Sequence, residues 1–310
     1  MNRRDALGTL GINLIGLSAF SRMTAGSTLK TPDGNQPLRA KDVNAHLRSL
    51  CDVRENSVDR IIVGDPETIV TKMGTTWMPY WKTCRKAVEA GVNCLVVHEP
   101  TFYYGRDLDL KEEEYASTFE KAAIDYSKLI SEKKEWIERK KLVIIRCHDV
   151  LDRVSRFGIP FALGFALGYT NEQIIRSRPY YNVYEIDARP AFEIARYIAK
   201  KLKPFDQPGV AFYGDGTRAV NTVGVGTGCI CNPLHFADLM PDLFIAIDDS
   251  VKTWIQTTYA EDSGHPLVVI NHGTSEENGV RMLNAHLRET FPGMEVVHFD
   301  QGCGYRWITA

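Results

Sequence analysis

Three histidines in this chain stand in the same kind of place. His98 closes the run "CLVVHEP", His148 lies in "LVIIRCHDVLD", and His272 in "LVVINHGTSE". Each follows a string of mostly β-branched apolar residues. Each is itself followed by carboxylates at +1 or +4: Glu99, then Asp149 and Asp152, then Glu276. Neutral imidazole binds zinc, iron, nickel or copper, and carboxylates extend the range to manganese and magnesium. A carboxylate can also bridge two cations, which a lone imidazole cannot. A single His after a buried strand is usually a hydrogen-bonded structural residue. Taken alone, His98 with Glu99 reads equally as a surface turn, and His148 with Asp152 as a local side-chain pair. Three such ends together are a stronger signal, because ligands of open α/β sheets collect outside the carboxyl ends of strands.

Those ends need strands to carry them. Strand and helix patterns alternate along most of the chain, with short V/I-rich strands, which predicts an α/β fold. "VDRIIVGD", "VNCLVVHEP", "KLVIIR", "PLVVINH" and "GMEVVHFD" read as strands. "KDVNAHLRSLC", "TTWMPYWKTCRKAVEAG" (stopped by Gly91), residues 111–140, "IPFALGFALGYT" (with Gly168 near its end) and "TSEENGVRMLNAHLRETFP" read as helices. Thr274 and Glu277 fit a capping box, which puts Glu276 in the first helical turn. In the middle of the chain, "NVYEIDARPAFEIARYIAKKLKP" reads as strand then helix, and "GVAFYGDGTRAVNTVGVGTGC" as a hairpin entering a glycine turn. "HFADLMPDLFIAIDDS" reads as helix then strand, and "VKTWIQTTYAEDSG" as a helix. The total is long for one sheet. We expect two α/β lobes with mixed sheets, the metal site lying at strand ends or in the cleft between lobes. One lobe takes residues 41–170 plus 264–310, and the other 171–263.

Composition bounds the function. The chain has 310 residues, 44% hydrophobic and 25% charged, an ordinary globular mixture with enough apolar material for a large core or two smaller ones. Net charge is −2, from 37 basic and 39 acidic residues that are mostly balanced locally. No basic stripe is present, so nucleic-acid binding has no electrostatic support. Seven cysteines (Cys51, Cys84, Cys94, Cys147, Cys229, Cys231 and Cys303) are odd in number, and Cys94 and Cys147 read as small core residues. Cys229 and Cys231 are too close for ordinary disulfide geometry, so a disulfide scaffold is not expected. The remaining histidines (His46, His235, His265, His286 and His298) read as surface or core residues, with His235 in a candidate pocket loop.

Residues 1–26 have the layout of a signal peptide. Arg3 and Arg4 precede a weakly apolar run from Ala6 to Phe20, then small and polar residues. The paired arginines resemble a twin-arginine export signal, and we expect an exported, extracytoplasmic protein; the alternative reading is a frayed amphipathic N-terminus. The run is too short and too polar to span a bilayer, so no stable membrane span is expected after signal removal. Residues 27–40 are polar and turn-rich and read as a linker.

The order of these motifs resembles the Nif-three-like (NGG-interacting factor three) dinuclear metal-centre family, also labelled GTP cyclohydrolase I type 2 homologues. That family carries a strand ending His-His-Pro, a strand followed by His-Thr-x-x-Asp, a glycine turn in a second lobe, and a late Gly-His-x-x-Ser-Glu. The counterparts here are "VHEP" (97–100), "HDVLD" (148–152), "VGTGC" (225–229) and "NHGTSE" (271–276). The spaced set, over about residues 40–310, is more specific than any one member. The resemblance implies His98, Asp152, His272 and Glu276 as ligands of two divalent metal ions (Zn, Fe, Mn or Mg), and a ring-shaped homohexamer. Glu99 stands where the family has its second His. As a ligand it lowers the nitrogen content and favours harder cations; as a non-ligand it would weaken or remove one ion. Asp149 replaces a Thr, and Asp249 in "AIDDS" matches the Asp of a Thr-Gly-Asp whose following His is absent.

Two cations about 3.5–4 Å apart favour hydrolysis. Asp152 and Glu276 are the candidates for bridging or chelating, and His148 for shuttling a proton or orienting Asp152. "GVGTGC" would line the far wall of the cleft, or be a plain tight turn. Three readings follow: a metal-dependent hydrolase of a small phosphorylated or nucleotide-like substrate, a non-catalytic metal-binding scaffold or carrier, and a structural α/β protein with incidental histidines. No Gly-x-Ser-x-Gly elbow supports a serine nucleophile.

Overall fold

Short apolar runs pair into two mixed sheets with helices packed on them, the α/β architecture that the alternating pattern predicts. The computed structural model describes residues 37–103, 105–107, 127–155, 157–226 and 228–308. The expected export signal, most of the linker and the first part of the helix expected over 111–140 lie outside the described residues. The first sheet has the order β1 (Ile61–Val63), β4 (Val143–Arg146), β3 (Cys94–Val97), β2 (Met73–Thr76), β11 (Val296–His298). Only β1 runs antiparallel to its neighbour. The second sheet has the order β5 (Ile174–Arg178), β6 (Tyr181–Pro190), β8 (Ala219–Val225), β9 (Leu243–Ile247), β10 (Leu267–Ile270), β7 (Ala211–Tyr213). Here β8, β9 and β10 are parallel and the outer pairs antiparallel.

The helices are α1 (Ala40–Arg48), α2 (Trp81–Glu89), α3 (Ser127–Arg139), α4 (Asp149–Arg153), α5 (Ile159–Leu167), α6 (Ala191–Leu202), α7 (Thr258–Ser263) and α8 (His272–Thr290). Alternation in β3 and β4 explains how two layers cover the first sheet. Leu95, Val97 and Ile144 join Cys84 and Ala87 of α2 and Ile137 of α3. Cys94, Val96, Val143 and Ile145 join Val43 and Leu47 of α1 and Val280, Leu283 and Leu287 of α8. Each of the valines, leucines and isoleucines among them, fully buried, stabilises by about 1.5–3 kcal/mol. Gly91 and Gly168 adopt positive φ just past α2 and α5, the helix stops their positions predict. Among the described residues, no helix is long and apolar enough to cross a membrane.

Four sequence expectations need correction. Met73–Thr76 is a strand, where a helix is predicted from Thr75; its polar Met-Gly-Thr-Thr sequence hides a segment buried on both faces. A Cβ on Gly74 would lie 2.9 Å from the Phe299 ring and 3.0 Å from Leu95, so β2 fits only with glycine there. The expected hairpin does not form: β7 pairs with β10, and β8 lies between β6 and β9. The burial explains this, since Val220 and Val223–Val225 are buried as an inner strand requires, whereas β7 is partly exposed as an edge strand can be. The helix expected from His235 is a pair of 3₁₀ turns, Pro233–His235 and Ala237–Leu239, held by local backbone bonds and by the Asn232 side chain, which accepts from Leu234 N. Finally, β10 belongs to the second sheet although residues 264–310 are expected in the metal-binding lobe; β9, α7 and β10 form one βαβ unit. The described residues from Pro37 onward cluster as one compact unit.

A half-buried histidine pair ties α1 to α8. His46 and His286 stack at 5.1 Å with Nε2 atoms 2.9 Å apart, and Phe157 covers His286. Burial lowers both pKa values, that of His286 to about 4, with the charge of His46 adding to the effect. The folded pKa lies below the unfolded value of about 6.5. Stability from this pair is therefore complete above about pH 6.5 and is lost as pH falls toward 4. Urea unfolding at pH 7 and pH 4.5 should show the loss in the wild type and a smaller one in His286→Gln. An equal loss in both proteins would remove the pair as its cause.

Candidate metal centre

The carboxyl ends of β3 and β4 lie side by side because the strands are parallel and in register, Val97 opposite Arg146. His98 and His148 therefore leave the sheet together, and their rings stack at 4.6 Å and 9°. The end of β10 approaches from the second sheet and brings His272. Here the helix begins one turn earlier than the predicted cap. Asn271, not Thr274, is the N-cap, its side chain accepting from Thr274 N at 3.4 Å. His272 is thus the first residue of α8, and Glu276 falls four residues on along the same face.

Glu276 joins the two ends. Its carboxylate is almost wholly buried, with Oε2 3.2 Å from His98 Nε2 and Oε1 3.1 Å from His272 Nε2. Asp152 Oδ1 lies 3.8 Å from His98 Nε2, and Glu99 Oε1 3.4 Å from His272 Nε2. Two groups result, each with donor atoms within 4.8 Å of one another: His98, Asp152 and Glu276, and Glu99, His272 and Glu276. All five predicted ligands meet, and Glu99 takes a place beside His272. A ring nitrogen of His148 is also within reach of His98 and Glu99. Its Nδ1 lies 3.1 Å from Asp149 and 3.5 Å from Asp152, which suits an orienting role for Asp152.

The hydrogen bonds behind these rings decide what they offer forward. His98 Nδ1 donates to the Cys147 carbonyl at 3.1 Å, and His272 Nδ1 to Asp249 Oδ2 at 2.7 Å. In the neutral ring each Nε2 is then a lone pair aimed at carboxylate oxygens, the arrangement of metal-ligating histidines. His98 Nε2 is fully buried and has no partner of hydrogen-bond geometry. An orphan of that kind costs free energy unless something else fills the space. A cation fits this donor set.

Electrostatics agree. Burial disfavours the imidazolium of His98, yet Glu276, Asp152 and Glu99 outweigh it and push the pKa up to about 10. At His272 the same penalty is outweighed by Glu276, Asp249 and Glu99, and the value rises to about 12. Burial would raise Glu276, but the two histidines hold it well below the ordinary carboxylate range. The site demands positive charge, and a divalent cation would replace those protons.

Further side chains hold the clustered histidines and carboxylates, and sequence reading passed over most of them. Asp59, buried, accepts from Ser57 Oγ at 2.7 Å, Val150 N at 3.0 Å and His148 N, pinning the first turn of α4. Arg146 Nε donates to the His98 carbonyl at 3.2 Å, and its Nη2 lies 3.8 Å from Glu99 Oε2. Asp248 Oδ1 accepts from His272 N at 3.0 Å. Asp249, singled out by the resemblance, orients His272. The glycine turn comes against the predicted ligands themselves, not a far wall: a Cβ on Gly228 would lie 2.6 Å from Glu276 Oε1 and 3.1 Å from His272 Nε2. A fourth group, Glu277, His298 and Asp300, is already charge-paired with Arg281 and reads as an ion-pair network. His235 is exposed and stands apart from these groups.

The model of the family described as Duf34/NIF3 (NGG1p interacting factor 3) matches residues 39–302. The chain belongs to this family. Among solved structures, a hypothetical protein of Staphylococcus aureus superposes with a TM-score of 0.69 at 20% identity, covering 88% of this chain and 100% of that one. A Bacillus cereus protein related to NIF3 gives 0.69 at 12% identity, with the same coverage. Reduced HcgD from Methanocaldococcus jannaschii gives 0.61 at 17% identity, covering 85% of this chain and 98% of that one. At these identities the likeness establishes the fold. No curated protein matches the sequence. Membership of the Duf34/NIF3 family and the clustered donors together fit a metal-binding protein.

Proposed function

We propose that this Duf34/NIF3 protein holds two divalent cations and hydrolyses a small molecule in the adjoining cleft. The observation that carries the proposal is the division of one buried carboxylate, Glu276, between two histidines whose Nδ1 atoms are already bonded. His98, Asp152 and Glu276 would hold one cation, and Glu99, His272 and Glu276 the other. With one His replaced by Glu99, the second place favours a harder ion such as Mn²⁺, Fe²⁺ or Mg²⁺. Bound cations supply Lewis acidity and make water more acidic. The chain's own residues do the rest. His148, partly exposed and backed by Asp149 and Asp152, is the group placed to accept and return a proton.

A cleft of about 370 Å³ opens beside the site, lined by Trp77, Met78, Glu99, Asp248, Asp249, Asn271, His272, Gly304 and Tyr305. It has room for a small substrate, which favours a hydrolase over a non-catalytic scaffold or carrier. Among the described residues, no lysine or arginine lines it. Charge complementarity for a phosphorylated or nucleotide-like substrate would come from the cations alone. Export and a homohexameric assembly belong to the same proposal, tested by cell fractionation and by light scattering.

The deciding experiment strips the protein with chelator and assays phosphomonoester, phosphodiester and carboxylic ester substrates before and after Mn²⁺ is restored. The proposal expects turnover only in the restored protein. Stoichiometric Mn²⁺ uptake with no turnover on any substrate would leave the scaffold reading in its place.

A further inference from the structure

Trp77 follows β2 and touches both halves of the candidate centre. Its indole is buried, and Nε1 donates to Glu276 Oε2 at 2.7 Å. Its ring stands edge-on to His272, with centroids 5.6 Å apart. The backbone is locked to the first ligand turn, since His98 N and Glu99 N both donate to the Trp77 carbonyl, at 3.1 and 2.9 Å. The first turn of α8 closes on the ring at Gly273, where a Cβ would lie 3.0 Å from the indole. The ring therefore has little freedom to turn.

An indole N–H only donates; it neither binds a cation nor takes a proton. A carboxylate oxygen has two acceptor positions. With the indole on one of them, Oε2 keeps a single position, on the side of His98, while Oε1 faces His272 and Gly228. We propose that Trp77 is a positioning residue that holds Glu276 split between the two ion places and prevents it from chelating one ion with both oxygens. The inference rests on the reading of Glu276 as a shared ligand.

The test titrates metal-free protein with Mn²⁺, followed by calorimetry and electron paramagnetic resonance. Trp77→Phe keeps a ring and removes the donor. The wild type should take up two Mn²⁺ per chain as a spin-coupled pair. Trp77→Phe should bind about 10–100-fold more weakly, the usual cost of losing a partner behind a ligand, and lose the coupled signal. Trp136→Phe, whose ring packs on Trp81 away from the site, should match the wild type. A second readout needs no substitution: Zn²⁺ should shift the Trp77 indole ¹⁵N–H resonance and leave that of Trp136 in place, which also decides the matter if the Phe variant does not fold. Wild-type affinity and coupling in Trp77→Phe, or an unmoved Trp77 resonance in protein that binds Zn²⁺, overturns this inference alone. A wild type that takes up no Mn²⁺ overturns it together with the proposed function.

Discussion

Glu276→Gln should abolish binding of both cations while leaving the shape of the site intact. The substitution conserves volume but removes the one charge that faces His98 and His272 together. Breaking a buried charged pair by neutralising one partner costs roughly 3–5 kcal/mol, or about two to nearly four orders of magnitude in a binding constant. Calorimetry with Mn²⁺ measures this directly. Loss of only one ion would show that Glu276 serves a single place. In metal-free protein the same change should lower the pKa values of both histidines, visible by NMR titration, because Glu276 is the strongest charge opposing their burial.

Arg146→Leu should destabilise the fold by about 3–5 kcal/mol, the cost of leaving buried carboxylates without their cation. Arg146 Nη1 pairs with Asp107 Oδ2 at 3.1 Å, and both side chains are almost wholly buried. Burial already raises the Asp107 pKa against the pull of Arg146, so removing the guanidinium would raise it further. The same arginine ties the His98 carbonyl and neighbours Glu99, and the variant should also bind metal more weakly. Urea unfolding of metal-free protein separates the two effects. A loss under about 1 kcal/mol would mean that water or another group satisfies Asp107.

The clustered histidines and carboxylates were legible because each is announced locally: an apolar strand, then imidazole, then carboxylate. Their meeting follows from parallel strand ends, a property of the fold class and not of any one segment. The supporting residues carry no such local mark. Trp77 reads as an apolar position near a helix start, and its acceptor lies 199 residues away. Asp59 and Arg146 look like ordinary charges flanking or ending strands until burial is known. The strand β2 was missed for a related reason: Met-Gly-Thr-Thr has neither alternation nor a branched apolar run, and is held by parallel neighbours on both sides. The hairpin between β7 and β8 is the error that local turn chemistry invites, since nothing in the Gly-rich connection reveals that β10 is the better partner. Asn271 as the cap shifted α8 by one turn, and that shift is what places His272 and Glu276 on one helical face.

The central claim is that distant strand tips share cations through Glu276. Crystals of protein purified without added metal and then soaked in Mn²⁺, with anomalous scattering recorded at the manganese edge, test it most directly. Two peaks are expected, one among His98, Asp152 and Glu276 and one among Glu99, His272 and Glu276. A soaked crystal with no anomalous density within bonding distance of Glu276 would contradict the account.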